Sequence, residues 1–327
     1  MQEPLKLINM RDVAVEDIKW IWYPYIPSGK LTIIQGDPGE GKTTFVLALI
    51  ALLTNGDPLP EAEQGSPPVN VIYQTAEDGL SDTIKPRLLS AGAECSRVLV
   101  IDEFDRELSL CDERLELAIK KTDAKLIVLD PLQAYLGGDT DMHRANEVRP
   151  IFKRLCLMAE RTGCAVILIG HINKAQGMKS SYRGLGSIDF RAAARSVLLA
   201  GRTKDNPSLR IVAHDKSSLA PEGKSIAFEI HPEHGFLWKG FCDITVDDLL
   251  SGNGSAQTKT TRMESELKEM LSGGAGSFDE IMKRADELGV SERTLNIAKA
   301  NLGIVSKKQG TKWFWSFEGQ GCKGVTF

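Results

Sequence analysis

The chain carries six cysteines, Cys95, Cys111, Cys156, Cys164, Cys242 and Cys322, but none in a C-x-x-C spacing or a Cys/His cluster. Neither a zinc site nor a disulfide framework is implied, and the thiols are expected to be reduced and structural. Long apolar runs are lacking too. The longest, Phe45 to Leu53, is too short to cross a bilayer, so no membrane partner is expected. Glu3, Lys6, Arg11 and Asp12 place charge where the apolar core of a secretory leader would begin, and the expectation is a cytoplasmic protein. No charge sign dominates: 40 Lys and Arg stand against 44 Asp and Glu, a net charge of −4, so any nucleic-acid surface must be local. The remaining frame, 327 residues with 42% hydrophobic and 26% charged content, suits one sizeable globular core and a small second domain.

One octapeptide carries the chemistry. Gly36-Asp37-Pro38-Gly39-Glu40-Gly41-Lys42-Thr43 fits G-x-x-x-x-G-K-[ST] and lies between an apolar run, Leu31 to Ile34, and a helix-like run from Thr44 to Leu53. A polyphosphate needs backbone N–H groups pointed inward, and glycines let the chain curl around it with no Cβ in the way. Lys42 is expected to reach the β and γ phosphates and Thr43 to hold Mg²⁺, with the helix presenting its positive N-terminal end to the anion.

Strand candidates Leu31 to Gln35, Val69 to Gln74, Arg97 to Ile101, Lys125 to Leu129 and Ala165 to Ile169 are short and rich in Val, Ile and Leu. Helix-length segments separate most of them: Thr43 to Leu53, Leu80 to Ala91, Cys111 to Lys120 and Val148 to Arg161, with Pro150 expected in a first turn. This alternation predicts an α/β fold with a mostly parallel central sheet covered on both faces. Later strands, Ser196 to Ala200, Leu209 to Ala213, Ser225 to Ile230 and Phe236 to Trp238, have short connections and predict an antiparallel extension, as in a RecA-like P-loop core. Residues 1–250 are read as this ATPase domain, 251–260 as a Gly/Ser-rich linker and 261–327 as a second domain.

Leu126 to Asp130 reads as a buried strand ending in an acid, which together with Thr43 would hold the magnesium shell. Glu77, at the tip of the Val69 to Gln74 strand, is the candidate base for the attacking water, preferred to Asp78. His171 ends the Ala165 to Ile169 strand, where a polar group can touch both the γ phosphate and the next loop. In Asn173-Lys174-Ala175-Gln176 a glutamine stands where the guanine-reading N-K-x-D motif has its Asp, which favours ATP. Lys174, Lys179 and Arg183 follow in a Gly/Ser-punctuated stretch suited to a single strand of nucleic acid. Arg202 and Lys216 each end or follow a late strand, and either could act on the nucleotide of a neighbouring subunit.

Beyond the linker, Arg262 to Leu271 reads as a helix, Ser277 and Glu280 as a capping box opening a second, and Ser291 as the cap of a third. Ile304 to Phe317 reads as a hairpin around a Lys307-Lys308-Gln309-Gly310 turn. Three helices and a hairpin make a winged helix-turn-helix, with Arg293, Asn296 and Lys299 on the reading helix and Lys307 and Lys308 on the wing contacting DNA or RNA.

Seven motifs, in order, now carry a resemblance: Trp22-Tyr23-Pro24-Tyr25-Ile26-Pro27, the phosphate loop (Gly36 to Thr43), Thr75-Ala76-Glu77-Asp78-Gly79, Asp130-Pro131-Leu132-Gln133-Ala134-Tyr135, His171-Ile172-Asn173-Lys174, Tyr182-Arg183-Gly184-Leu185-Gly186-Ser187 and Lys216 to Gly223. Together they resemble the RepA-like AAA/RecA-type ATPases of plasmids and phages, relatives of the DnaB-type replicative helicases, over about Ile18 to Leu250. The resemblance implies an ATP- and Mg²⁺-dependent hydrolase assembling head to tail, usually as a hexamer, in replication of mobile DNA. It implies a γ-phosphate sensor at His171 and a trans finger at Arg202 or Lys216; the DnaB-type Lys-x-Arg pair is replaced by His214-Asp215-Lys216. The tail is similar to winged helices on phage replication proteins and implies contact with duplex DNA or a replication partner. Three readings follow: a DNA-dependent ATPase moving on single strands, an ATP-gated DNA-binding regulator or helicase loader, and, behind these, a recombinase-like filament.

Overall fold

The computed structural model describes residues 7–103, 105–137, 144–171, 188–202, 207–231, 235–251 and 259–317. A small antiparallel pair, β1 (Trp20–Trp22) and β2 (Ile26–Pro27), leads into β3 (Leu31–Gly36) and α1 (Lys42–Asn55). There follow β4 (Val71–Thr75), α2 (Lys85–Ser90), β5 (Val98–Leu99), α3 (Glu113–Thr122), β6 (Leu126–Asp130), α4 (Ala145–Thr162), β7 (Ala165–His171) and α5 (Ile188–Ala193). Then come β8 (Ser196–Arg202), β9 (Leu209–Ser217), β10 (Ser225–His231), β11 (Gly235–Cys242) and α6 (Val246–Ser251). The described strands make a nine-stranded sheet in the order β5-β4-β6-β7-β3-β8-β9-β10-β11. Pairing is parallel from β5 to β8 and antiparallel from β8 to β11, which is the expected RecA-like core with its extension.

The strands read as continuous apolar runs because both faces are buried. In β6 and β7, Leu126, Val128, Ile167 and Ile169 join the core under α1 and α2, while Ile127, Leu129, Val166 and Leu168 join the core under α3, α4 and α5. Helix α1 is apolar nearly all round, and Phe45 near its start packs against Trp22 and against Phe228 and Trp238 of the antiparallel strands as well as joining the core under the parallel ones. Among the described residues no helix is long and apolar enough to cross a membrane.

Several elements differ from expectation. Strand β5 stops at Leu99 because the Gln74 amide takes over the backbone of Ile101, accepting its N–H at 2.6 Å and donating to its carbonyl at 3.2 Å. The helix expected from Leu80 begins as a wide turn, Leu80–Ile84, and becomes α-helical only at Lys85, because Pro86 has no amide to carry the ladder across the junction. Helix α4 starts at Ala145, ahead of its apolar stripe, which puts Pro150 in the second turn and not the first. Strand β9 runs through Lys216 to Ser217, since its polar residues find partners: Val197 pairs with Lys216 and Ser196 with Ser217.

The last 59 described residues, 259–317, hold α7 (Lys259–Met270), β12 (Gly276–Ser277), α8 (Phe278–Glu287), α9 (Glu292–Asn301), β13 (Ile304–Gln309) and β14 (Lys312–Phe317). They gather round Met263, Leu267, Ile281, Leu295, Ala298 and Trp315. Ser291 caps α9 as expected, accepting from the Thr294 amide at 3.3 Å. The capping box at Ser277 does not form; Ser277 makes no side-chain cap and is drawn into β12, opposite Phe314. The hairpin turn is also shorter: Lys307 and Lys308 pair with Phe314 and Trp313, leaving Gly310 and Thr311 as the connection, with Gly310 at φ +60°. Thr260 Oγ1, at the head of α7, donates to the Lys239 carbonyl of β11 at 3.1 Å.

His214 ties β9 to β8 and to the next loop. Its Nδ1 accepts the Gly223 amide at 2.9 Å, so Nε2 carries the proton and donates to Ser196 Oγ at 3.1 Å. Burial pushes the imidazole down to about 4. The unfolded chain, with a histidine near its ordinary value of about 6.5, therefore takes up a proton that the native state refuses. This stability is complete above about pH 6.5 and is lost as pH falls towards about 4. Denaturant titrations should show the wild type losing about 2 kcal/mol more than His214→Gln between pH 7 and pH 5; equal losses would refute the assignment.

Candidate nucleotide site

Strand β3 ends at Gly36 and α1 begins at Lys42, and the intervening loop is shaped by glycines. Gly39 and Gly41 both take φ +81°, which a side chain resists. A Cβ on Gly36 would lie 2.3 Å from the Ala200 carbonyl of β8. Lys42 Nζ donates to the carbonyls of Gly36 (2.8 Å) and Asp37 (2.9 Å) and stands 3.4 Å from His171 Nδ1. Burial lowers the lysine pKa, and Asp130, Glu40, Asp37 and Glu77 oppose the shift. A phosphate oxygen would offer this ammonium a charged acceptor in place of neutral carbonyls.

The second half of the site is a shared oxygen. Asp130 Oδ2 accepts from Thr43 Oγ1 at 2.7 Å and from the Tyr73 hydroxyl at 2.8 Å. Burial raises the Asp130 pKa, while these two donors oppose the shift; the Tyr73 hydroxyl is itself pushed up by burial and by Asp130. Thr43 and Asp130 supply hard oxygen ligands of the kind magnesium takes when it also binds substrate phosphates. Among the described residues no group of three His, Cys, Asp or Glu forms an all-protein metal cage.

Register brings the remaining candidates to the same edge of the sheet: Thr75 is opposite Asp130, and Gly36 is opposite His171. A cleft of about 270 Å³ opens there, lined by Lys42, Thr43, Thr44, Glu77, Asp130 and His171 among others. Asp78 and Arg87 also line the cleft and are bound to each other at 3.0 Å, whereas Glu77 has no hydrogen-bond partner among the described residues. Arg202 grips the loop of its own chain, with Nε and a terminal nitrogen on the two Glu40 carboxylate oxygens at 3.0 and 3.1 Å. Lys216 is at the other end of the β8–β9 pairing, where Nζ donates to the carbonyls of Arg191 (2.7 Å) and Ala194 (2.8 Å) at the end of α5.

Lys174, Lys179 and Arg183 lie outside the described residues. In the tail, Arg293 and Asn296 are exposed on α9 and Lys307 and Lys308 on β13. Lys299 is turned inward, bonded to Ser306 Oγ and 4.5 Å above the Trp315 ring.

Tyr73, Arg87 and Arg210 are at the site and escaped sequence reasoning. Tyr73 sits in the buried part of β4, and a buried tyrosine needs a partner for its hydroxyl, a signal that was legible. Arg210, on β9 opposite Arg202, lies against Gly41, where an added Cβ would come within 2.8 Å of its Cδ. Its Nε is buried with no hydrogen-bond partner, and burial, then the Arg202 charge, lowers its pKa. Only the strand pairing places it there, and no local pattern of residues announces it.

A glycine loop, a buried lysine and a strand-end carboxylate bonded to the loop threonine, on this strand order, define a P-loop ATPase. More narrowly, the chain belongs to the AAA domain family AAA_25, which matches residues 3–177. It is similar to the DNA repair protein RadA of Halalkalibacterium halodurans, 26% identical over 165 residues, covering 50% of this chain and 32% of that protein. The DNA repair protein RadA of Bacillus subtilis is 25% identical over 151 residues, covering 46% and 29%. The chain thus matches about a third of the length of these relatives. Among solved structures it is similar to a KaiC-like protein of Pyrococcus horikoshii (20% identity, 67% and 95% covered, TM-score 0.47). It is also similar to a second solved ATPase domain (17% identity, 64% and 84% covered, TM-score 0.48).

Tyr73→Phe removes one hydroxyl and no bulk. If that hydroxyl orients Asp130 for magnesium, a Mg²⁺ titration of ATP hydrolysis should show roughly a 10- to 100-fold loss at limiting metal. An unchanged titration would mean that Tyr73 serves stability alone.

Proposed function

We propose that the chain is a DNA-dependent ATPase of RepA/DnaB helicase type, which couples ATP hydrolysis in an oligomeric ring to movement on, or remodelling of, single-stranded DNA in replication of mobile elements. The observation that supports it most is the sheet edge itself: Lys42, Asp130, Glu77 and His171 converge on one cleft, and the chain runs on from His171 directly into Lys174, Lys179 and Arg183. Nucleotide state and a basic stretch of sequence are thereby joined by a few residues. The relatives named for DNA repair support action on DNA.

In this reading Lys42 neutralises the β and γ phosphates, Thr43 and Asp130 hold Mg²⁺, and the uncommitted Glu77 accepts a proton from the attacking water. The buried Arg210 Nε–H finds its acceptor on the nucleotide. Arg202 and Lys216 are both engaged within their own chain, so either becomes a trans finger by exchanging those contacts when copies assemble. The tail is a winged helix-turn-helix that brings the ATPase to its nucleic acid.

Hydrolysis should rise several-fold when single-stranded DNA is added to protein sized with ATP and magnesium, and Lys42→Ala should abolish hydrolysis and strand displacement. Hydrolysis indifferent to every DNA offered would overturn the reading. Sequence-specific duplex binding without strand displacement would replace it by the ATP-gated regulator or loader.

A further inference from the structure

The tail carries two candidate nucleic-acid surfaces, and the structure separates them. The outward face of α9 offers Glu292, Arg293, Asn296 and Ile297, one positive charge cancelled by one negative. The helix's lysine, Lys299, is spent on Ser306 and the face of Trp315. Such a face has little to hold a phosphate backbone.

The β13–β14 hairpin is different. Lys307, Lys308 and Lys312 are exposed on it, and its residues, 304–317, include no Asp or Glu. The hairpin outruns the apolar cluster beneath it. Trp315 points into that cluster, whereas Trp313, two residues nearer the turn and on the same face, leaves 49% of its surface open. Opposite it, Lys308 reaches to 5.9 Å from the ring. An indole outside the buried cluster, with Lys308 beside it and Lys307 and Lys312 exposed on the hairpin's other face, matches an anionic chain with flat apolar groups that can pass round the hairpin, which is single-stranded nucleic acid.

We propose that the hairpin, and not α9, is the tail's nucleic-acid contact, taking an unpaired base stacked on Trp313 with Lys307, Lys308 and Lys312 on the flanking phosphates. This rests on the reading above that the tail touches nucleic acid, and it changes the ligand from a duplex groove to a single strand. Stacking tolerates any base, so the contact is indifferent to sequence and weakens with salt.

The test uses the full chain without nucleotide and a labelled oligothymidylate, which forms no hairpins. Intrinsic tryptophan fluorescence should be quenched on binding, and Trp313→Ala should weaken binding by roughly 5- to 100-fold, with Trp313→Phe keeping part of the affinity. Trp313 lies outside the tail's buried cluster, so an unchanged melting temperature would confirm that both variants fold.

Binding and ATPase stimulation that ignore Trp313 would overturn the inference and leave the ATPase reading standing. A greater loss from Arg293→Ala with Asn296→Ala than from Trp313→Ala would return the contact to α9. Tighter, Trp313-independent binding of a duplex, or equal displacement of the oligonucleotide by polyglutamate, would also overturn it. If the oligonucleotide neither bound nor stimulated hydrolysis, both the inference and the reading would fall.

Discussion

One carboxylate oxygen organises this protein. Asp130 Oδ2 ends β6 in a buried position and takes hydrogen bonds from Thr43 at the start of α1 and from Tyr73 on β4. An unmet carboxylate at that depth would cost several kcal/mol, so the two donors fix how the phosphate loop, its helix and two neighbouring strands sit together. The parallel register then does the rest, since strands that start level also end level and deliver Thr75, Asp130, Gly36 and His171 to one edge.

The loop is held from a second direction by the β8–β9 pair, where the sheet turns from parallel to antiparallel. Arg202 binds Glu40 within the phosphate loop, and Arg210 fills the space beside Gly41. Arg202 ends β8, the last strand of the parallel set, and Arg210 lies on β9, the first antiparallel one. This pair is therefore part of the site's wall, and a core truncated at β7 would keep Lys42, Thr43, Asp130 and His171 while losing the side chains that frame them.

Most of the core was legible because its strands bury both faces and so read as unbroken Val, Ile and Leu, as in Leu126 to Leu129 and Ala165 to Ile169. The phosphate loop was legible because it demands glycine at fixed places. What escaped was decided by side chains acting at a distance. Gln74 ended β5 by bonding to Ile101, and the partners of Asp215 and Lys216 carried β9 past its apolar stretch. In the tail, Ser277 looked like a cap until strand pairing claimed it, and Lys299 looked like a reader until Ser306 and Trp315 drew it in.

The Gln74 bridge has a wider consequence. A β-sheet normally continues to recruit strands wherever backbone amides and carbonyls stand free, and beside β5 a side-chain amide has already consumed the next pair. At the opposite margin Thr260 occupies a carbonyl of β11. At both margins, then, side chains join the backbone in deciding where the ladder stops.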